Sequence, residues 1–294
     1  MKWNKKLSVY IICLICVVLM VSPAVTAGMN SLSLKKKNVQ TKEPTQAQYW
    51  ALLFAVGEYD YDPDQNNRPS MLEACDNLYN ALLESPQYWQ QSNIHVMKAG
   101  QCYLQNLIKE LLWLRKSASS EDYVFVYLTT HGYYLTKQGL PWDLFPKEEP
   151  DGKDEFLFMY NGFSTNYGII WDDLLNFFLS IIRCQGLCLV VDSCYSGGFN
   201  DRPLSISNQR RYTAMSSQED ELSYGSAFSD LFISGLQDGL ADTNSWLLGT
   251  SGNSDGVVSA QESFRFAQHW VEILNDQTPT ESDLFGAEFP LTYA

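Results

Sequence analysis

Residues 187–198 read LCLVVDSCYSGG, an apolar run that ends in reactive and small residues. Five consecutive apolar residues indicate a strand covered on both faces, as in a parallel sheet. Asp192 and Cys194 follow this strand directly. In open parallel sheets, reactive groups gather just beyond the carboxyl ends of the strands. The stretch therefore predicts an α/β fold with a functional site at Cys194.

A second stretch upstream has the same design. Residues 123–129 read YVFVYLT, and His131 and Gly132 follow. If the two strands are neighbours, their axes lie about 4.8 Å apart, so the imidazole and the thiol can meet. The imidazole can then take the thiol proton and later protonate a leaving amine. We therefore predict His131 and Cys194 as catalytic residues, with the N–H groups of Gly132 and Cys194 forming the oxyanion hole.

Asp192 lies two positions before Cys194. On an extended strand this spacing places both side chains on one face. We expect the Asp192 carboxylate to bind a cationic substrate side chain; capping of the following turn is the alternative interpretation.

Strands and helices alternate along the rest of the chain. This order predicts an α/β three-layer sandwich with a mostly parallel central sheet of about six strands flanked by helices. The predicted strands are 50–56, 93–97, 123–129, 187–191, 212–216 and 289–293, with a hairpin strand at 155–160. The predicted helices are 70–84 (with capping-box spacing at Ser70 and Glu73), 102–116, 170–182, 227–240 and a last helix capped by Ser259 and Glu262.

Residues 1–27 predict a signal peptide, because a lysine-rich start precedes an apolar run (7–21) and the small residues Val25-Thr26-Ala27. An uncleaved signal that anchors the chain in a membrane is the alternative. Residues 28–46 read as a flexible leader and 47–294 as one domain. The signal removes three of 20 basic residues and no acids, so the exported chain carries 17 − 34 = −17 charges. This charge argues against nucleic acid and anionic membrane surfaces as partners.

No metal site is predicted. Asp255 and Glu262, with Asp242 as a third candidate, resemble part of a calcium loop, but a turn followed by a capped helix explains them better. Isolated histidines at 95 and 269 are assigned structural roles. Five cysteines remain after signal removal, which leaves at least one free thiol in a single chain. Disulfides at 75/102 or 184/188 and buried free thiols are both compatible with the spacing.

The two motifs together resemble the superfamily of caspases, metacaspases, legumains and gingipains. His-Gly is followed 194 − 131 = 63 residues later by Asp-Ser-Cys-Tyr-Ser-Gly-Gly, each after an apolar strand, and the resemblance spans roughly 48–293. It implies a caspase-like sandwich and a cysteine endopeptidase with a Cys–His dyad and an acyl-thioester intermediate. Protein or peptide substrates and no cofactor are expected, with calcium activation as an analogy to some metacaspases. The oligomeric state stays open.

The resemblance also bears on substrate preference. Metacaspases carry an Asp two residues before the nucleophile, line the primary specificity pocket (S1) with it and cleave after Arg or Lys; Asp192 matches this pattern. Legumain carries Glu-Ala-Cys and prefers Asn, so a legumain-like peptidase or transpeptidase is one alternative. A catalytically silent caspase-like binding module is the other. Acids at 58, 60 and 62 are further pocket candidates, and Arg210-Arg211, in the polar loop after the nucleophile, is a candidate self-cleavage site.

Overall fold

Strands and helices alternate through the protein, which the computed structural model describes over residues 47–136, 153–200 and 210–294. These residues lie in one unit that begins at Gln46. The described strands, in chain order, are β1 (Tyr49–Ala55), β2 (Ile94–Lys98), β3 (Tyr123–Thr129), β4 (Gly132–Thr136), β5 (Lys153–Phe158), β6 (Ile169–Trp171), β7 (Gly186–Asp192), β8 (Arg211–Met215), β9 (Asn244–Ser245), β10 (Thr250–Ser251), β11 (Val257–Ser259), β12 (Thr280–Asp283) and β13 (Pro290–Tyr293).

Six of these strands form the central sheet in the order β12-β8-β7-β3-β1-β2. Five run parallel, and the edge strand β12 is antiparallel to β8. β3 and β7 are neighbours over their whole length, from the pair Tyr123/Gly186 to the pair Thr129/Asp192. Both are almost completely buried, as continuous apolar runs predict. The mostly parallel sheet and the neighbouring positions of β3 and β7 are thereby confirmed.

Helices cover both faces of this sheet, which confirms the predicted three-layer sandwich. Alternate side chains of β1 point to opposite faces. Ala51, Leu53 and Ala55 join the core beneath α2, α5 and α6, whose ranges close this paragraph. α3 and α4 lie outside that cluster and contact each other. The described α-helices are α1 (Pro63–Asn66), α2 (Pro69–Leu83), α3 (Leu104–Ser117), α4 (Asp172–Ser180), α5 (Ala227–Leu236) and α6 (Ala260–Asn275).

Three further small sheets lie in the described residues, and two of them correct the sequence prediction. The predicted helix 170–182 begins instead with the strand β6, which pairs with β5, and becomes helical only at Asp172. The predicted last strand is present as β13, but it pairs with β11 outside the central sheet. The sixth strand of the central sheet is β12, which was not predicted. β4 completes the β4-β5-β6 sheet, and β9 pairs with β10.

The helix ends follow local chemistry. At α6 the predicted capping box is confirmed: Ser259 Oγ accepts from Glu262 N at 3.2 Å, and Glu262 Oε2 accepts from Ser259 N at 2.9 Å. The predicted capping box at Ser70 is wrong, because α2 begins one residue earlier at Pro69, which lacks an N–H to be capped. α5 ends at Leu236 rather than at 240, because the chain then turns through left-handed residues.

None of the helices in these three described ranges has the length and apolar character needed to cross a bilayer. The predicted signal peptide and leader, residues 1–46, lie outside the described residues.

Candidate active site

His131 and Cys194 follow the carboxyl ends of the neighbouring strands β3 and β7, so both lie at the same end of these parallel strands. Pairing continues past the strands, since Thr130 N donates to Asp192 O at 3.2 Å. Gly132 then lies directly against the loop that contains Cys194: a Cβ built on it would be 2.2 Å from the carbonyl oxygen of Cys194. Only glycine, which has no Cβ, fits at position 132. The structure therefore brings together the four residues that the sequence singled out, at 131, 132, 192 and 194.

The His131 ring is fixed from two sides. Its Nε2 lies 2.8 Å from the carbonyl oxygen of Asn66, and the rings of Tyr59 and Phe163 pack at centroid distances of 5.2 and 5.6 Å. A carbonyl oxygen only accepts hydrogen bonds, so Nε2 carries the hydrogen. In the neutral ring the lone pair is then on Nδ1. Burial lowers the pKa of His131, although the Asn66 carbonyl opposes the shift.

The Cys194 thiol is half-buried beside Ser223. Ser223 N donates to Sγ at 3.4 Å, and Sγ lies 3.6 Å from Ser223 O. Burial raises the pKa of Cys194, the Ser223 contact lowers it, and the nearby Asp192 carboxylate raises it further. The shifts at His131 and Cys194 therefore both favour the neutral forms, imidazole and thiol.

Asp192 is fully buried and does not open onto the surface. Its oxygens accept hydrogen bonds from Ser223 Oγ at 2.8 Å, from Ser229 N at 3.1 Å and from Ser229 Oγ at 2.5 Å. Burial raises the pKa of Asp192 despite these donors. Ser223 thus contacts the Cys194 sulfur through its backbone and the Asp192 carboxylate through its hydroxyl. Ser223 therefore lies between the Asp192 carboxylate and the Cys194 sulfur.

Residues of the loop between β1 and α2 complete the site, and the sequence did not reveal them. Besides the Asn66 carbonyl, this loop provides Arg68, whose positive charge lowers the pKa of both His131 and Cys194. Its guanidinium donates to the carbonyl oxygens of Gln65 at 2.8 Å and Asn67 at 2.7 Å. The sequence could not reveal Asn66, because every residue has a backbone carbonyl. It could not reveal Arg68 either, because a single arginine before a proline is not a distinctive motif.

The acids at positions 58, 60 and 62 of the same loop were predicted as pocket residues. Among the described residues, none of them contacts His131 or Cys194. Asp60 accepts from Ser164 Oγ at 2.7 Å, and Glu58 and Asp62 are exposed. Their role as pocket residues stays a prediction.

Three tyrosines border the dyad. Tyr133 and Tyr134 follow Gly132, Tyr195 follows Cys194, and the Tyr195 ring meets the other two at centroid distances of 5.6 and 5.0 Å. Tyr195 has a positive φ of 61°, which turns the chain sharply after the nucleophile. The edge of the site next to Cys194 is therefore aromatic.

The calcium-loop resemblance is explained by backbone hydrogen bonds. Asp242 accepts from Asp255 N at 3.0 Å and from Gly256 N at 3.1 Å, and Glu262 accepts from Asn253 N at 2.9 Å. These contacts stabilise a turn before α6. Across residues 47–136, 153–200 and 210–294, no group of three or more His, Cys, Asp or Glu side chains could hold a metal ion.

Each of the cysteines at 75, 102, 184, 188 and 194 is a free thiol. The two isolated histidines lie away from this site. His95 stacks on Trp113 at 3.5 Å and contacts Glu110 at 2.5 Å, and His269 packs against Trp270.

Arg210 and Arg211 are not in an open loop, contrary to expectation. Leu187 N donates to Arg210 O, Arg210 N donates to Leu284 O, and Arg211 is the first residue of β8. Because β7 and β8 are parallel, Arg210 and Arg211 lie at the amino ends of these strands, whereas Cys194 follows the carboxyl end of β7. In this fold Arg210 and Arg211 therefore lie at the end of the sheet away from Cys194 of the same molecule, and self-cleavage at this pair stays a prediction.

Comparisons with known proteins agree with this fold. A search among curated proteins gives no match. Among solved structures, the chain is similar to protein GSU0716 from Geobacter sulfurreducens, with a TM-score of 0.58 and 15% identity over 84% of this chain and 99% of that chain. This likeness shows the fold alone. Residues 67–203 match the family model of the metacaspase, peptidase C14 domain. These residues, which include His131 and Cys194, are therefore similar to a family of caspase-like cysteine peptidases.

Proposed function

We propose that this protein is an exported cysteine endopeptidase in which Cys194 attacks the substrate carbonyl and His131 transfers the proton. The observation that carries the proposal is the pairing of β3 with β7, which delivers a thiol and an imidazole to one sheet edge. The match to a peptidase family supports cysteine peptidase activity in general.

The proposed chemistry starts from the neutral pair. As the sulfur bonds to the substrate carbonyl carbon, the thiol proton moves to Nδ1 of His131, since Nε2–H is held by Asn66. The N–H groups of Gly132 and Cys194 donate hydrogen bonds to the carbonyl oxygen and stabilise the negative charge that develops on it. The C–N bond then breaks, and the imidazolium returns the proton to the leaving amine. Water attacks the resulting thioester through the same base, which regenerates the thiol and releases the acid.

We propose that cleavage follows Arg or Lys. The support is the position of Asp192 two residues before Cys194, together with Ser223, which contacts both the Asp192 carboxylate and the Cys194 sulfur. Ser223 Oγ would have to turn away from the carboxylate for a direct ion pair to form. A legumain-like preference for Asn uses the same dyad, and the residue before the scissile bond distinguishes the two.

The test is turnover of a peptide series that differs only at the residue before the scissile bond. Turnover after Arg or Lys that disappears in Cys194→Ala supports the proposal, and Cys184→Ala, at another half-buried cysteine, is the matched control. Turnover only after Asn would replace the specificity by that of a legumain. No turnover with any peptide, with and without calcium, would show a silent binding module instead.

Export is the remaining part of the proposal, and it is supported by the charge and apolar pattern of residues 1–27. Expression of the full chain in an exporting host, followed by N-terminal sequencing of the external product, should show cleavage after Ala27. Retention of the intact N-terminus in the membrane fraction would favour an anchor, and retention in the cytosol would refute export.

A further inference from the structure

The chain between β8 and α5, residues 216–224, contacts the active site at two points, and we call it the bordering segment. Near its end, Ser223 N donates to the Cys194 sulfur at 3.4 Å. Two residues earlier, the carbonyl oxygen of Glu221 accepts from Tyr195 N at 2.8 Å. The position of the bordering segment therefore determines which groups surround the sulfur.

The short link 276–279, between α6 and β12, contacts the bordering segment through Gln277. This glutamine is fully buried, with 0% of its surface exposed, although its side chain is polar. Its Nε2 donates to Ser216 O at 2.6 Å and to Ser223 Oγ at 3.1 Å. Its Oε1 accepts from Tyr224 N at 3.0 Å. One side chain thus connects both ends of the bordering segment.

These partners fix the orientation of the Gln277 amide. A backbone carbonyl only accepts and a backbone N–H only donates, so Nε2 faces Ser216 and Oε1 faces Tyr224. Nε2 uses its second hydrogen for Ser223 Oγ. Because Ser223 Oγ accepts from Gln277, its own hydrogen is directed to Asp192 Oδ1, 2.8 Å away. The Ser223 side chain is therefore held between two buried partners.

Thr278, the next residue of the link, supports the same arrangement. Its N–H donates to Glu221 Oε2 at 2.8 Å, an oxygen that also accepts from Gln218 N at 3.1 Å. The link begins at Asp276, whose left-handed conformation (φ 51°) ends α6 and turns the chain out of the helix. The link therefore contacts both residues, at 221 and 223, through which the bordering segment reaches the active site.

We propose that Gln277 is a positioning residue that holds Ser223 against the Cys194 sulfur. The proposal rests on the function proposed above for Cys194, and it adds a residue 277 − 194 = 83 positions farther along the chain. Without the amide, the buried carbonyl of Ser216 loses a partner, and buried polar groups without partners are strongly disfavoured. The bordering segment would then shift and draw the Ser223 N–H away from the sulfur.

The ionisation of Cys194 reports this contact. The Ser223 hydrogen bond lowers the pKa of Cys194, whereas burial, which has the larger effect, raises it. The charges that act on the thiol are Asp192, which raises its pKa, and Arg68, which lowers it. Neither charge belongs to the link or to the bordering segment. A higher pKa after a change at Gln277 would therefore indicate loss of the Ser223 contact.

The test is the pH dependence of Cys194 alkylation by iodoacetamide in Gln277→Met, followed by mass spectrometry of the peptide that contains Cys194. Methionine is of similar length but has no N–H donor. We expect the pH midpoint to rise by about 0.5–1, the equivalent of one lost hydrogen bond to the thiolate. Changed access to the sulfur would alter the plateau rate and not the midpoint. On the best peptide, kcat/KM should fall by about tenfold to 100-fold.

Gln261→Met is the matched control, because Gln261 is also a buried glutamine (3% exposed) that bridges separate parts of the chain. Its Nε2 donates to Asp283 Oδ2 at 3.0 Å and to Ala287 O at 2.9 Å. Its Oε1 accepts from Phe289 N at 2.9 Å. Gln261→Met should therefore lower Tm, as Gln277→Met does, but keep the alkylation midpoint and kcat/KM of the parent.

Gln277→Asn is a milder variant for the case that the methionine protein does not fold. Its amide is one CH2 closer to the backbone and cannot bridge all three partners, so its midpoint should also rise. A folded Gln277 variant with the midpoint of the parent, or an equal rise in Gln261→Met, would overturn the proposal. If the parent cleaves no peptide but the midpoint still rises in the Gln277 variant, the positioning of Ser223 is supported and the peptidase function is not.

Discussion

Replacement of Gly132 by alanine tests the geometry on which the active site depends. The added Cβ would lie 2.2 Å from Cys194 O and 2.9 Å from Ser193 Oγ, whereas real Cβ atoms stay at least 3.0 Å from such neighbours. The backbone must therefore move by at least 3.0 − 2.2 = 0.8 Å. A misplacement of about 1 Å at reacting groups can reduce the rate by about 100-fold, or ~2.7 kcal/mol of barrier.

The assay is kcat/KM of Gly132→Ala on the best peptide of the series, with the rate of Cys194 alkylation as a readout that does not require turnover. Gly100→Ala is the matched control, because its Cβ would meet only the Tyr160 ring at 3.8 Å. Thermal unfolding checks that both variants fold. A Gly132→Ala protein that retains kcat/KM within about threefold of the parent, where misplacement should cost far more, would refute the close approach of Gly132 to Cys194.

Three other predictions follow from the site and the fold. Since burial raises the pKa of Cys194 above 9.0 and lowers that of His131 below 6.5, alkylation of Cys194 should keep rising through pH 9, and turnover should fall only below pH 6.5, where the imidazole becomes protonated. An alkylation rate that is already constant at neutral pH would instead indicate a resting ion pair. Asp192→Asn should reduce kcat/KM after Arg or Lys by about tenfold to 100-fold, the equivalent of one charged hydrogen bond, and an unchanged ratio of Arg to Asn substrates would contradict an S1 role. Ser259→Ala should lose about 1 kcal/mol of unfolding free energy and lower Tm by about 2–4 °C, whereas Ser259→Thr should not; equal Tm values in a thermal scan would show that the cap contributes nothing.

The central strands could be predicted closely because burial on both faces leaves a continuous apolar run. β1, β3 and β7 each begin and end within one residue of the predicted limits. β12 could not be predicted in this way, because Thr-Glu-Ser-Asp is a short edge strand with no apolar residue. β6 was taken for the first turn of a helix, because its three apolar residues join the helical spacing of α4, and only pairing with β5 determines its conformation.

Within the site, residue type decided what could be predicted. His131 and Cys194 have reactive side chains directly after buried strands, so both could be found from sequence. Asn66 acts through its carbonyl oxygen, which every residue possesses, and Ser223 reaches the sulfur from 29 positions along the chain. Such contacts arise only when the chain folds.

The charge of β12, the outermost strand of the central sheet among the described residues, has a consequence for association. The outer side of a sheet is a place where another chain can add a strand, and proteins counter such additions with charge. Glu281 and Asp283 are both exposed on this edge. Two copies that approached through the same edge would bring four carboxylates together within a few residues. This repulsion would oppose the addition of a second copy to the sheet, and high salt, which screens the charges, would weaken that barrier.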